Sequence, residues 1–205
     1  MPRIVVSLLF AGILAAPACL TAQTPAPATR LEVAATGNEA RYRVREQLAG
    51  VDFPNDAIGV THAVTGQIVL GPDGRVQAAE SRITIDLRPL KSDKDRRDGY
   101  VQRRLLETDT YPTATLAVTA IRGLPSPLPA TGTFSATIEG QLTIRGVTRP
   151  TTWAAEVTAT PTGFTGTTKT SFTFDQFAMT KPRVAVVLSV EDTIALEYDF
   201  TLVRK

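Results

Sequence analysis

Histidine and cysteine are nearly absent from this 205-residue chain, which has one of each. A zinc or haem site built on histidines needs more than one such ligand, so the single His62 excludes it. A Ser-His-Asp triad would have to use His62, which stands in "GVTHAVTG" with no signature serine nearby. We therefore expect His62 to lie on the surface or at the rim of the fold. The only cysteine, Cys19, lies near the N-terminus, so the folded domain has neither disulfides nor cysteine-ligated metal.

Strong net charge and phosphate-binding loops are also missing. The formal charge is +2, or +1 once Arg3 is removed with a leader, which gives little attraction to nucleic acid. No glycine-rich loop follows a strand and opens a helix, as nucleotide binding would require. The carboxylates at 93, 95 and 98 alternate with cations, which is typical of a solvated helix start. The sequence therefore predicts a protein that is not an enzyme, with no metal, no cofactor and no nucleic-acid partner.

Residues 1–22 have the layout of a secretory signal peptide. Arg3 precedes an apolar run from Ile4 to Ala16 that is too short to span a bilayer comfortably, and small residues follow it. Cleavage after Ala22 predicts a periplasmic, secreted protein. The alternative is a lipoprotein anchored through Cys19. Residues 23–39 are interpreted as a flexible, Pro/Ala-rich tether, and residues 40–205 as the folded domain.

From residue 40 onward, apolar and polar residues alternate with a period of two. In "ARYRVREQ", Tyr42 and Val44 share one face, and the three arginines share the other. Repeated alternation with hairpin signals predicts an all-β antiparallel fold, and closure into a barrel of about eight strands would remove its edges. Residues 92–108 break the pattern and predict one short helix, with Ser92 or Asp93 as its N-cap.

The inward strand faces are the candidate binding surface. Alternation assigns nine side chains to the barrel interior: Leu116, Val118, Leu142, Ile144, Trp153, Phe172, Phe174, Leu196 and Tyr198. A small barrel either fills such an interior with side chains or leaves room for one slender ligand. Alternation alone does not distinguish these two cases.

Two motifs give the chain a family resemblance. "GQLTIRGVTRPTTW" (140–153) resembles the hairpin Gly-Asp-Leu-Thr-Ile-His-Gly-Val-Thr-Lys/Arg-Pro of the YceI-like family, with Gln141 and Arg145 in place of the Asp and the His. The family's Arg-Asp-x-His-Leu and Tyr-Pro-Thr elements correspond to Arg97-Asp98 and to residues 111–113, with Tyr100 at the histidine position. The order and spacing of both motifs match across residues 40–205. The segments 55–66 and 173–178 match the family only loosely.

The resemblance implies a secreted, lipocalin-like barrel that binds an isoprenoid-type amphiphile, such as a quinone or a polyprenyl phosphate, and has no catalytic residues. Such a protein would act as a periplasmic carrier or scavenger, with a role in envelope stress and transient contact with the membrane or a membrane redox protein. Arg97, held by Asp98, is the candidate head-group contact, and the alternative is that this pair fastens the helix to the barrel. The alternative function is a non-enzymatic interaction module with a filled barrel, serving envelope assembly or a membrane redox partner.

In the hairpin itself, we expect Gly146 to supply unusual backbone angles and Pro150 to enter the next strand at an edge.

Overall fold

The computed structural model describes residues 28–205, and its main feature is the predicted closed antiparallel barrel. The predicted signal peptide and Cys19 lie outside the described residues. The strands are β1 (Thr29–Val33), β2 (Glu39–Leu48), β3 (Asn55–Thr61), β4 (Val64–Leu70), β5 (Arg82–Asp86), β6 (Thr113–Arg122), β7 (Gly132–Ile144), β8 (Val147–Thr160), β9 (Gly163–Thr173) and β10 (Val187–Arg204). Eight strands close the barrel, because β1 with β2, and β3 with β4, each act as one bent strand.

Strand β10 closes the barrel by pairing along its length with three neighbours. It pairs with β9 on one side. On the other side its C-terminal part pairs with β1 (Leu31↔Arg204) and the part before it with β2 (Tyr198↔Ala40). The bend between β1 and β2 is held by Asn38, whose Nδ2 donates to the carbonyl oxygen of Ala34 at 2.8 Å. The Tyr198 hydroxyl donates to Asn38 Oδ1 at 2.7 Å and ties the bend to β10.

The barrel begins earlier than the boundary expected at residue 40. Residues 29–33, assigned to the tether, form β1, which hydrogen-bonds to both β4 and β10, and Leu31 is buried. A five-residue strand beside a Pro/Ala-rich segment is too short for alternation to reveal it.

The predicted helix lies within 92–108 and has two parts. An α-helix, α1 (Asp95–Tyr100), continues directly into a π-helix (Val101–Leu106). The expected N-cap is wrong: the residue before α1 is Lys94, and no side chain caps it. Ser92 instead donates its hydroxyl to Asp98 Oδ1 at 2.6 Å. A short 3₁₀ turn (Phe174–Phe177) follows β9. Within residues 28–205, no helix is long and apolar enough to cross a membrane.

Arg145 and Gly146 form the turn between β7 and β8. Both have positive φ, 50° and 73°, as a two-residue type I′ hairpin turn requires. The expectation for Gly146 is confirmed, and Arg145 adds a left-handed residue that its amino-acid type does not predict. In the next strand, Pro150 pairs with Gln141 of β7, whereas the described pairing of β8 with β9 begins at Ala154. Pro150 therefore lies at a local edge, as expected.

The Arg145 side chain explains its unusual backbone angle. Its guanidinium forms an ion pair with Glu107 and donates from Nη1 to the carbonyl oxygen of Ala178 at 2.8 Å. Glu107 and Ala178 also have positive φ. The Arg145 side chain therefore connects its own left-handed turn to two other left-handed residues. A Cβ at Gly146 would lie 3.1 Å from Cε1 of Tyr111, which places the Tyr-Pro-Thr motif against the hairpin motif.

Candidate functional site

The barrel is hollow. It encloses a cavity of about 770 Å³ that is lined almost entirely by apolar side chains. The most exposed lining residues belong to Asp93–Arg96 and to 185–186, and we call the end of the barrel that they border the mouth. At the opposite end, Leu124 and Leu128 of the β6–β7 loop pack onto the core, and Arg204 Nη2 donates to the carbonyl oxygen of Pro129 at 3.2 Å.

All nine side chains that alternation assigned to the interior line this cavity. Val118 and Leu142 are almost completely buried. The polar atoms of two larger members have partners in the protein: Trp153 Nε1 donates to Thr151 Oγ1 at 3.0 Å, and the Tyr198 hydroxyl donates to Asn38. Their rings therefore add mainly apolar surface to the wall.

Tyr42 also lines the cavity, and its position depends on Gly59 in the neighbouring strand. Tyr42 and Gly59 are cross-strand partners in β2 and β3, and a Cβ at Gly59 would lie 2.2 Å from Tyr42 Cε1. Only glycine leaves room for the ring against the barrel wall. Burial raises the pKa of the Tyr42 phenol to about 12, so it is neutral at physiological pH.

The mouth carries the only buried charged pair along the cavity wall within residues 28–205. Arg97 Nη2 of α1 contacts Glu46 Oε1 of β2 at 2.5 Å, and both side chains are largely buried. Arg97 Nη1 contacts Asp93 and the Ser92 hydroxyl. Burial opposes the charged form of Arg97, but its hydrogen bonds to Asp93 and Glu46 outweigh this and raise the pKa of its guanidinium.

The expected partner of Arg97 is therefore wrong. Asp98 accepts hydrogen bonds from the backbone N–H and the hydroxyl of Ser92, at 2.8 and 2.6 Å, and does not hold Arg97. Sequence reasoning missed Glu46 because it lies 51 residues from Arg97 and only the fold brings them together. The sequence signal for Glu46 was its place in the alternation, since it lies on the same inward strand face as Tyr42 and Val44.

His62 lies outside the cavity. Its side chain is largely exposed, and its Nδ1 lies 3.0 Å from the carbonyl oxygen of Asn38. In the described part of the chain, no three His, Cys, Asp or Glu side chains are grouped as a metal site would need.

An exposed apolar rim borders the mouth, and strand periodicity did not predict it. We define the rim as Val51 and Phe53 of the β2–β3 loop, Val186 just before β10, and Leu188 at the start of its pairing with β2. Phe53 is 78% exposed and Leu188 is 67% exposed. The backbone N–H of Ala49 donates to the carbonyl oxygen of Val186 at 3.0 Å, so the two segments are adjacent.

A hollow antiparallel barrel with an apolar interior and one open end defines a class of small-ligand binding proteins. Residues 33–202 match the family described as the YceI-like domain, and the chain belongs to this family. No curated protein matches the chain.

Solved structures share the fold at low sequence identity. A polyisoprenoid-binding domain from Saccharophagus degradans, implicated in plant cell wall breakdown, is 13% identical with a TM-score of 0.61, over 86% of this chain and 98% of that one. BcnA of Burkholderia cenocepacia is 16% identical with a TM-score of 0.60, over 82% and 98%. A YceI protein of Campylobacter jejuni is 16% identical with a TM-score of 0.57, over 78% and 90%.

Proposed function

We propose that this protein binds an isoprenoid-type lipid in its barrel cavity. The observation that carries the proposal is the cavity of about 770 Å³, lined by apolar side chains and open at one end. A branched hydrocarbon tail fits such a surface because it needs no polar partner. The fold shared with a polyisoprenoid-binding domain supports the same ligand class.

Hydrophobic burial alone provides enough free energy for this binding. One buried CH₂ group contributes about 0.8 kcal/mol, so one isoprene unit contributes roughly 3 to 4 kcal/mol. Association costs about 4 to 15 kcal/mol, and micromolar affinity corresponds to about −8 kcal/mol. Several buried units therefore suffice without a strong head-group contact.

We further propose that the protein is a periplasmic carrier or scavenger, exported by its N-terminal segment and serving in envelope stress. Quinones and polyprenyl phosphates are the candidate cargo. The exposed apolar rim supports transient contact with a membrane, because cargo that resides in a bilayer must cross from lipid to the mouth. The role that we propose is binding and not catalysis, because the cavity wall formed by residues 28–205 is almost entirely apolar. The filled-barrel alternative requires an interior without a cavity, so we do not propose it.

The first test is native mass spectrometry of the mature protein purified from its own periplasm, followed by solvent extraction. A retained isoprenoid supports the proposal and identifies the cargo class. An empty protein that also fails to bind added quinones or polyprenols contradicts it.

A matched pair of variants tests the cavity directly, with the single Trp153 as a fluorescence probe in its wall. Ala114 faces the cavity from β6, whereas Ala117 on the same strand does not line it. We expect Ala114→Phe to lower the affinity for geranylgeraniol by at least about tenfold, because the new ring occupies space for two or more CH₂ groups. Ala117→Phe is the control and leaves the affinity unchanged. Equal affinities of the two variants would place the ligand elsewhere.

A further inference from the structure

The polar end of the cavity is built around Glu46. Its side chain is 8% exposed and lines the cavity wall. Oε1 accepts a hydrogen bond from Arg97, whereas no hydrogen bond to Oε2 comes from the residues that the structure describes. A carboxylate oxygen that has no protein partner, on a largely buried side chain in the cavity wall, is an acceptor for a donor group on a ligand.

The positive charge of Arg97 is already paired within the protein, which lowers its attraction for an anionic head group, although only three of its five N–H donors are used. Its Nη1 serves Asp93 and Ser92, and its Nη2 serves Glu46, so one guanidinium already faces two carboxylates. Asp98 adds a third carboxylate nearby, and its Oδ2 is buried with no hydrogen-bond partner in the described chain. The buried part of the mouth thus has more negative than positive charge.

The other cations at the mouth are exposed to solvent. Lys94 Nζ lies 3.7 Å from Asp93 Oδ2, and Lys91 Nζ lies 3.7 Å from Asp95 Oδ1. Both ammonium groups are therefore already paired with carboxylates. Arg96 is exposed at the outer edge. Exposed charges of this kind hold an anion weakly, because water screens them.

Tyr42 supplies a second polar group on the same inner face. Its phenol makes no hydrogen bond to a described residue, and the charges of Arg97, Asp98 and Glu46 all act on it. A neutral phenol both donates and accepts hydrogen bonds. Together, Glu46 and Tyr42 provide two acceptors and one donor without a free positive charge.

We propose that this end of the cavity selects an amphiphile with an uncharged head group that donates a hydrogen bond to Glu46, such as a hydroxyl or an amide, over one that carries a phosphate. This inference rests on the proposed function, since it assumes that the tail occupies the cavity. A phosphate beside Glu46 would be desolvated next to a like charge, which is unfavourable. Arg97 is then a positioning residue that fixes the Glu46 carboxylate.

The decisive experiment compares farnesol with farnesyl phosphate, which share one tail, by titration of the full mature protein followed through Trp153 fluorescence. We expect farnesol to bind at least about tenfold more tightly, because its hydroxyl avoids the repulsion between a phosphate and the Glu46 carboxylate. Equal or tighter binding of the phosphate overturns the head-group inference and leaves the proposed function standing. If neither compound binds, the proposed function fails and this inference fails with it.

Glu46→Gln tests the residue itself. It removes the negative charge and keeps the shape, so we expect farnesyl phosphate to gain at least about tenfold in affinity relative to farnesol. Glu191→Gln, the same change at an exposed position of β10 outside the cavity wall, should leave the preference unaltered. An unchanged preference in a folded Glu46→Gln protein overturns the role of Glu46. The comparison of ligands on the unmodified protein decides the proposal even if this variant does not fold.

Discussion

Tyr42 and Gly59 illustrate how one residue without a side chain keeps the cavity open. The ring of Tyr42 lies where a Cβ of residue 59 would be, so it rests against the wall of β3 rather than projecting into the centre. Cross-strand packing of this kind places a large aromatic ring over exposed backbone. Cavity volume near the mouth therefore depends on a glycine that lies on the wall and not at a turn.

We expect Gly59→Ala to push the Tyr42 ring into the cavity. Overpacking of this kind lowers the free energy of unfolding by about 1 to 3 kcal/mol. The displaced ring takes the space of about two CH₂ groups, so the affinity for geranylgeraniol should fall by about tenfold. Chemical denaturation and Trp153 fluorescence titration measure the two effects.

Two further variants separate these effects. Gly50→Ala meets no atom within 4 Å but is strained at a φ of 78°, so it should lose stability and keep its affinity. Adding Tyr42→Ala to Gly59→Ala should recover most of the affinity for geranylgeraniol, because the ring that blocks the cavity is gone and Glu46 still accepts from the ligand hydroxyl. Failure of this double variant to recover would mean that Gly59 acts on the backbone and not through Tyr42.

Alternation along strand β2 gives its inward and outward faces different chemistry. Its inward side carries Tyr42, Val44 and Glu46, and its outward side carries three arginines that pair with carboxylates of β3 and β10. Arg41 contacts Glu197 at 2.7 Å, and Arg43 contacts the same carboxylate at 3.1 Å. We call this row of ion pairs the ladder. It helps to fix the register between β2 and β10, whose pairing is interrupted by two register shifts.

The ladder makes stability depend on pH. Hydrogen bonds from Arg43 and Arg41 lower the pKa of Glu197 below its usual value. The folded state therefore binds this proton less tightly than the unfolded state, so the stabilisation is complete above the unfolded pKa and is lost as the pH falls through the folded one. We expect Glu197→Gln to cost about 1 kcal/mol near pH 7, and the difference from the unmodified protein to shrink below about pH 4.

Urea denaturation at the two pH values measures this difference. High salt should also shrink it at neutral pH, because screening weakens partly exposed pairs. Glu191→Gln, at an exposed position on the same strand, is the control. A cost that persists unchanged in acid would show that Glu197 contributes through packing and not through its charge.

The elements differ in how far the sequence alone could predict them. Long alternating strands identify inward faces well, because period two is set by backbone geometry and not by distant contacts. Eight of the nine predicted side chains lie in strands and line the cavity, and Phe174 lines it from the 3₁₀ turn that follows β9. The short β1 was not predicted and the predicted partner of Arg97 was wrong, since both depend on pairing between segments far apart in the chain. The left-handed Arg145 belongs to the same group, because Glu107 and Ala178 hold it in place.

At the scale of the whole molecule, the two ends of the barrel have different characters. One end is closed by the β6–β7 loop, and the mouth combines the cavity entrance, the Glu46–Arg97 pair and the exposed apolar rim. The carrier role that we propose requires exchange of cargo with a membrane through the open end. The position of the rim at this end is what such exchange requires, and it leads to a kinetic prediction.

We expect Phe53→Ser and Leu188→Ser to slow the uptake of a quinone from phosphatidylcholine vesicles by about tenfold each. An apolar side chain that enters a bilayer surface contributes about 1.5 to 3 kcal/mol, and serine loses this contribution. Stopped-flow quenching of Trp153 fluorescence by the quinone gives the rate. Ala78→Ser, on the β4–β5 loop at the closed end, is the control and should not change the rate.

Uptake of a dissolved ligand, compared with uptake from vesicles, shows whether the rim contacts the membrane or controls opening of the mouth. Neither rim residue lines the cavity, so both variants should bind dissolved farnesol with unchanged affinity and rate. If uptake of dissolved farnesol slows as much as uptake from vesicles, the rim controls opening of the mouth and not contact with lipid. If neither rate changes, membrane contact through the rim is wrong, and the four apolar side chains must face another partner. Slower uptake from vesicles alone would tie the rim to the bilayer, because only that route includes the step in which the protein meets the membrane.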